Sequence, residues 1–313
     1  SGKSASGNDR FKGLKNLSIG VNLLCLQGGK TLKRQIKRVA AIHDLSGFGR
    51  TSLAVVIPIL STMGVQVCSL PTAVLSTHTG GFEGYSFVDL TGFMEKTIDH
   101  WEELQIEFDC IYSGFLGSPE QIKIISSFVD RFSYNDPLIV VDPAMGDNGR
   151  LYSTMSYEMV EQMRFLVAKA NLITPNFTEA AFLLDEPYRT DITLEEMKEW
   201  LVRLTSMGPE IAVITSVPYR GKSQPQHKTI VIAYNKGDGR YWKVTCIYVP
   251  THYPGAGDTF TSVLVGSLLQ GDSLPLAMDR GVQFITGAIR ASYGSQQPER
   301  EGVFLERVLG SLN

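Results

Sequence analysis

Short apolar runs alternate along most of the chain with stretches of helical period. Residues 38–43 (RVAAIH), 65–70, 109–112, 138–141, 172–174 and 211–215 read as buried strands. Between them the apolar positions recur every three to four residues, which predicts helices from the loop after His43 to Met63, over 91–103, 119–132, 156–168, 175–184 and 193–207. Boundary residues agree with this reading. Gly64 and Gly208 stand where helices stop, and Pro119 suits a first helical turn. Thr193 and Glu196 have the spacing of a capping box, ahead of an apolar face made of Leu194, Met197, Leu201 and Leu204. Two later strands, 229–234 and 240–249, flank a turn carrying Asp238-Gly239, a hairpin signal. Helices are expected over 259–270, 274–292 and 301–312. Strand–helix alternation of this kind predicts an α/β fold: a single doubly wound, mostly parallel sheet flanked by helices, with a late antiparallel strand pair.

The chain has 313 residues, 43% of them hydrophobic, enough for one large domain with a sizeable core. Residues 37–313 read as that domain, with no internal repeat and no change of composition. Residues 1–36 look different: a Ser/Gly-rich start reads as a tail or an added segment. Gly28-Gly29-Lys30-Thr31 superficially suggests a phosphate loop, but Leu24 stands where the pattern needs glycine, so no function is assigned to it. Net charge is −3 and no long basic face is evident, which argues against a nucleic-acid partner. Cys25, Cys68, Cys110 and Cys246 lie far apart, in no metal or disulfide spacing. No apolar run reaches the roughly 18 residues of a membrane span. Residues 17–26 are apolar but too short, and lack a cleavage signal, so a cytoplasmic protein with no membrane partner is expected.

Polar and glycine clusters follow the strands at His43, Leu70, Tyr112, Val141, Ile173 and Ile214, where open α/β sheets bind ligands. The stretch Pro254-Gly255-Ala256-Gly257-Asp258-Thr259-Phe260 joins a β-rich run to a helix. Glycines let a ligand approach the backbone, and the first helix amides suit a phosphate. Asp258 adds a carboxylate able to take a proton, though the stretch alone reads equally as a turn with Asp258 as an N-cap. Asp142 ends a clean strand and shares its loop with Asp147, while Asn176 and Glu179 share one face of the next helix. Such carboxylates can hold Mg²⁺ together with nucleotide phosphates. Asp142 also reads as a turn former, and Glu179 as a first-turn acid serving its helix. His78 reads as a loop histidine rather than a base. Phe115 reads as core or as a stacking surface for a flat ring, and the loop 218–227, with Arg220 and Lys222, as a nucleotide cover or a solvated basic loop.

Taken together, the motifs resemble a known family. Gly255-Ala256-Gly257-Asp258-Thr259-Phe260 resembles the signature of the ribokinase-like kinases. Ser76-Thr77-His78-Thr79-Gly80, the run from Tyr112 to Ser118, that from Val141 to Asp147, that from Ile173 to Glu179, and Met207-Gly208-Pro209 leading to Val213-Ile214-Thr215-Ser216 are similar to its vitamin B6 branch, the pyridoxal/pyridoxamine kinases. They occur in that family's order between Lys37 and Ser292. The resemblance implies ATP-dependent phosphorylation of the hydroxymethyl group of pyridoxal, pyridoxamine or pyridoxine, in vitamin B6 salvage. It implies Asp258 as base and Gly255, Ala256 and Gly257 as the anion hole. It implies Asp142, Asn176, Glu179, Thr215 and Ser216 around ATP, and Asp44, Ser46, Thr79 and Phe115 around the vitamer. Asp142, Asp147, Glu179 and Thr174 fall at metal positions, for Mg²⁺ and for a monovalent cation such as K⁺. A homodimer is implied as well. Two departures bear on the substrate: Asp44-Leu45-Ser46 replaces a common Ser-His-Val, and Phe115 a common Tyr. The rival readings are a hydroxymethylpyrimidine kinase, since Ser46-Gly47-Phe48-Gly49 also resembles that branch, and a non-catalytic vitamer-binding regulator.

Overall fold

The computed structural model describes residues 36–219, 228–247 and 251–313. The expectations for residues 1–35, for Arg220 and Lys222, and for strand residues 248 and 249 lie outside the described residues.

Among those residues nine strands form one sheet in the order β11-β10-β9-β8-β5-β4-β1-β2-β3. The central strands are β1 (Arg38–Ser46), β2 (Gln66–Leu75), β4 (Cys110–Ser113), β5 (Leu138–Val141), β8 (Leu172–Ile173) and β9 (Ile211–Tyr219). All pair in parallel, as the strand–helix alternation predicts. β10 (Lys228–Asn235) and β11 (Arg240–Ile247) make the expected antiparallel hairpin, and β10 also runs antiparallel to β9. At the opposite edge β3 (Phe87–Asp89), a strand that the apolar pattern does not predict, pairs antiparallel with β2.

Consecutive strand residues serve opposite faces. Ala40 and Ile42 join a core with helices α2 (Thr91–Glu103), α3 (Pro119–Phe132), α4 (Tyr157–Val167), α5 (Phe177–Leu184) and α6 (Leu194–Ser206). Val39 and Ala41 join the other, with α1 (Leu53–Thr62), α7 (Ala256–Gln270) and α8 (Leu274–Ser292). Because β1 is buried from both sides, its sequence reads as a continuous apolar run rather than an alternating one. The predicted capping box of α6 forms: the Thr193 hydroxyl accepts from the Glu196 amide, and the Glu196 carboxylate accepts from the Thr193 amide. Leu201 on its inner face is fully buried. Leu201→Ala is expected to lower stability by about 2 to 5 kcal/mol, as measured by urea denaturation.

Three further segments depart from expectation. Residues 301–312 are not a helix but separate 3₁₀ turns, Glu299–Glu301, Leu305–Arg307 and Leu309–Leu312. Gly302 has φ 84° and backs onto Arg50, and Val303, Phe304 and Leu305 are all buried, a spacing that no single helix face provides. The loop after β5 contains a small hairpin, β6 (Gly146–Asp147) and β7 (Arg150–Leu151), turning through Asn148 and Gly149, both at positive φ. β1 runs on through Asp44 to Ser46, so these two lie on a strand end and not in a glycine loop. No helix among the described residues is long and apolar enough to cross a membrane.

Strand order reverses at β1: the chain first adds β2 and β3 on one side, then returns to add β4 on the other. That switch point opens a crevice at the carboxyl ends of β1 and β4.

Candidate active site

Helix α7 points its N-terminus at this crevice. Its N-cap is Gly255, at φ 77°. The helix starts at Ala256, three residues earlier than expected, and so carries Asp258 in its first turn. The Thr259 amide already bonds the Gly255 carbonyl, whereas the amides of Gly257 and Asp258 have no acceptor within the helix. A Cβ on Gly257 would meet nothing within 4 Å, so open space borders the first turn at that position.

Gly255 is needed for a different reason. A Cβ there would lie 2.1 Å from the Arg50 carbonyl oxygen, so the loop after β1 is pressed against the helix start. That loop ends at Ser52, which has φ 51° and ψ −131°, a conformation suited to glycine. The strained turn aims the Ser52 amide at Asp258 Oδ2, 2.9 Å away.

Asp258 is about one-sixth exposed, its side-chain accessibility being 17%. Burial raises its pKa to about 6, with the Asp44 charge adding to the rise and the Ser52 amide opposing it. Asp44 is buried, and burial lifts it above the usual carboxylate range against the hydroxyls of Ser52 and Ser46. The Ser46 hydroxyl donates to Asp44 Oδ2 at 3.3 Å. His78 stands beside this pair with both nitrogens engaged: Nε2 donates to the Arg300 carbonyl at 2.7 Å, and Nδ1 accepts from the Gly80 amide. Burial holds it neutral, which fits a histidine that fixes its loop.

Asp142 caps β5, and its amide bonds the Ser113 carbonyl. Its side chain is buried and lies 3.4 Å from the Thr261 hydroxyl, which is itself 3.1 Å from Thr174 Oγ1. Burial first, then the Asp258 charge, push Asp142 well above its ordinary pKa. Glu179, 3% exposed, is pushed up by burial and by Asp142. Its oxygens accept from the amides of Asn176 and Met145, at 2.7 and 3.1 Å. Asn176 and Glu179 thus complete a capping box on α5, and Asn176 Nδ2 also ties Gly146. The helix-serving reading of Glu179 is therefore realised in full, and its carboxylate still feels the neighbouring acids. Asp147, on the small hairpin, accepts from the Asn148 amide and sits 3.4 Å from His252 Nδ1.

Asp142, Asp147, Glu179 and Asp258 therefore form one acidic neighbourhood: burial first, and then the charges of all four, raise the Tyr152 phenol. Among the described residues no three His, Cys, Asp or Glu side chains converge into a metal cage. The mutual repulsion of buried carboxylates is nonetheless the condition that a hydrated cation relieves, so the donor set fits Mg²⁺ held largely through water and phosphate.

Thr215 and Ser216 lie across a bulge in β9, two residues opposite Val231 of β10, and Ser216 has φ 56°. The bulge turns these side chains out of the regular strand alternation. The Thr215 amide bonds the Pro175 carbonyl next to Asn176, which joins this pair to the α5 side of the crevice. Thr79 is half-buried in the loop fixed by His78. Phe115 is half-buried after β4, and its ring borders Gly117, as does that of Phe87.

Several residues of the site escaped the sequence reading. Thr261 had a usable signal, since it stands three residues after Asp258 on the same helix face. His43, Ser52 and His252 had none, because each reaches the site through the fold.

The family model described as phosphomethylpyrimidine kinase matches residues 57–301. A Bacteroides thetaiotaomicron protein, provisionally described as a phosphomethylpyrimidine kinase and solved in a form with pyridoxal, is 58% identical to this chain, with a TM-score of 0.85 over 89% of this chain and 96% of that one. Pyridoxal kinase from Lactobacillus plantarum is 30% identical, with a TM-score of 0.78 over 88% and 96%. Pyridoxal kinase from Burkholderia lata is 26% identical over 274 residues, covering 85% of this chain and 92% of its own length.

Proposed function

The chain belongs to the phosphomethylpyrimidine kinase and pyridoxal kinase family, and on that basis we propose that it transfers the γ-phosphoryl group of ATP to the hydroxymethyl oxygen of a vitamin B6 compound. The observation that carries this reading is the end of α7, where a proton acceptor and unpaired amides occupy one helical turn. Asp258 takes the proton of the alcohol as its oxygen bonds to the γ-phosphorus and the bond to the β-phosphate oxygen breaks, leaving ADP. A primary alcohol is a weak acid, so a base placed at it is worth about 10²- to 10⁴-fold in rate. The amides of Gly257 and Asp258, at the positive end of the helix, offset charge on the phosphoryl oxygens. Asp142, Asp147 and Glu179 are the residues that would hold Mg²⁺, which supplies further charge neutralisation when bound. Asn176, Thr215 and Ser216 are assigned to ATP. Asp44, Ser46, Thr79 and Phe115 are assigned to the vitamer. Thr174, joined to Asp142 through Thr261, is assigned to a monovalent cation. A cytoplasmic homodimer completes the proposal.

One observation favours a second reading, the hydroxymethylpyrimidine. Asp44 is a buried carboxylate, and an amino group on a pyrimidine ring would donate to it well. The pyridoxal bound by the Bacteroides relative supports the first reading. Turnover of pyridoxal, pyridoxamine, pyridoxine and hydroxymethylpyrimidine, each measured with and without Mg²⁺ and K⁺, decides between them. At least one B6 compound is expected to be phosphorylated with the higher kcat/KM. Turnover of the pyrimidine alone would replace the proposal, and binding without turnover of any would make the protein a regulator.

A further inference from the structure

The imidazole of His43 is fully buried on β1, and neither nitrogen has a hydrogen-bond partner among the described residues. Burial holds the ring neutral, with a pKa of about 3. A neutral imidazole still has one N–H to donate and one lone pair to satisfy, so a buried ring with no partner is costly where an apolar side chain would fit. Its placement is tightly determined. The edge of Tyr112 packs against it, with centroids 4.5 Å apart at 79°. On another side it lies so close to Gly114 that a Cβ there would fall 2.2 Å from Nδ1. Gly114 is therefore required by the imidazole. That packing directs Nδ1 at Asp258 Oδ1, 3.8 Å away.

We propose that His43 is a positioning residue for Asp258: its Nδ1–H and the Ser52 amide hold the two carboxylate oxygens, so that the carboxylate faces the alcohol whose proton it receives. This rests on the kinase reading given above. The Nδ1–H tautomer follows from the surroundings, because Nε2 has no acceptor among the described residues while Nδ1 faces a carboxylate. Hydrogen bonds to an ionised carboxylate close to about 2.8 Å. Catalytic hydrogen bonds are often longer before substrate binds and tighten in the complex. The donor favours the ionised carboxylate and opposes the other groups that bear on Asp258. These are Asp44 on β1, which raises its pKa, and Asp142 after β5, whose charge interacts with it. The phenols of Tyr112 on β4 and Tyr152 beyond β7 also interact with it and stay protonated.

The test compares wild type, His43→Leu and His43→Gln, with melting temperature, kcat, both KM values and the pH profile of kcat/KM measured for each. His43→Leu removes the donor and an unpaired buried group together, so its melting temperature is expected to equal or exceed that of wild type. Its kcat is expected to fall about 10- to 100-fold with KM little changed. The acid limb, near pH 6 in wild type, is expected to move upward, because an ionised carboxylate that loses a donor binds its proton more tightly. His43→Gln, which keeps an N–H, is expected to recover most of the rate and the original limb. A folded His43→Leu variant with wild-type kcat and limb, or one altered only in KM, overturns the proposal. If His43→Leu does not fold, Gly114→Ala displaces the imidazole and is expected to show the same fall and shift. A wild-type profile in that variant overturns the proposal equally. The kinase reading is judged separately: it fails if wild type has no turnover, and it stands if wild type turns over and Asp258→Asn does not.

Discussion

Asp258→Asn is expected to lower kcat by about 10²- to 10⁴-fold while ATP binding stays close to wild type. The amide keeps the size of the carboxylate, and its carbonyl oxygen can still accept from the Ser52 amide, so the strained turn before α1 keeps its anchor. What is lost is the ability to take a proton. The same carboxylate predicts the pH dependence of the wild type. Burial, with the Asp44 charge, raises Asp258 to about 6, and the base works only when ionised. Activity is therefore expected to be full well above pH 6, to halve near it, and to fall about tenfold for each further pH unit below. A pH profile of kcat/KM and a nucleotide-binding titration of the Asn variant check both statements. Wild-type turnover in the variant would remove the base assignment.

The parts of this site that could be read in advance are those held by neighbours in sequence. Asn176 and Glu179 stand three residues apart and cap one helix, so their spacing announced their geometry. Asp142 ends a strand buried on both faces, and such a strand shows as an unbroken apolar run. The same logic explains what was missed. β3 is three exposed residues at the sheet edge, Phe87, Val88 and Asp89, with no buried face to impose a period. The β6–β7 hairpin did have a local signal in Asn148-Gly149, a pair suited to a tight turn, but its strands are only two residues long. The C-terminal segment carries an apolar density that imitates a helix. Its buried residues Val303, Phe304 and Leu305 are consecutive, and the glycine before them is fixed by Arg50 far away in the chain. His43 and Ser52 act on a carboxylate more than 200 positions on. No local period encodes such a pairing; it follows from where the strand order reverses and from how the loop after β1 is pressed onto α7.

That pressing separates the two glycines at the start of α7, which look alike in sequence. Gly255→Ala is expected to cost about 2 kcal/mol or more and to abolish most activity. The new side chain would adopt φ 77° and would meet the Arg50 carbonyl at 2.1 Å and Thr51 Cα at 3.2 Å, both of them backbone. Relief requires the loop to move, and the loop carries the Ser52 amide that holds Asp258. Gly257→Ala should behave in the opposite way. Its backbone is not at positive φ, a Cβ there meets nothing, and alanine is the better helix former by up to about 1 kcal/mol. Its melting temperature is expected to hold or rise. The methyl group, however, projects into open space beside the first turn, where the phosphoryl oxygens are proposed to sit. An intruding methyl group lengthens those contacts, and kcat/KM for ATP is expected to fall about 10- to 100-fold. Thermal denaturation and steady-state kinetics on the two variants read the difference directly. Loss of stability and activity together in Gly257→Ala would make it a packing glycine like Gly255, and the anion site would then have to lie elsewhere in the crevice. A stable Gly257→Ala variant with a weakened response to ATP would locate the transferred phosphoryl group at the α7 N-terminus, beside the carboxylate that takes the proton.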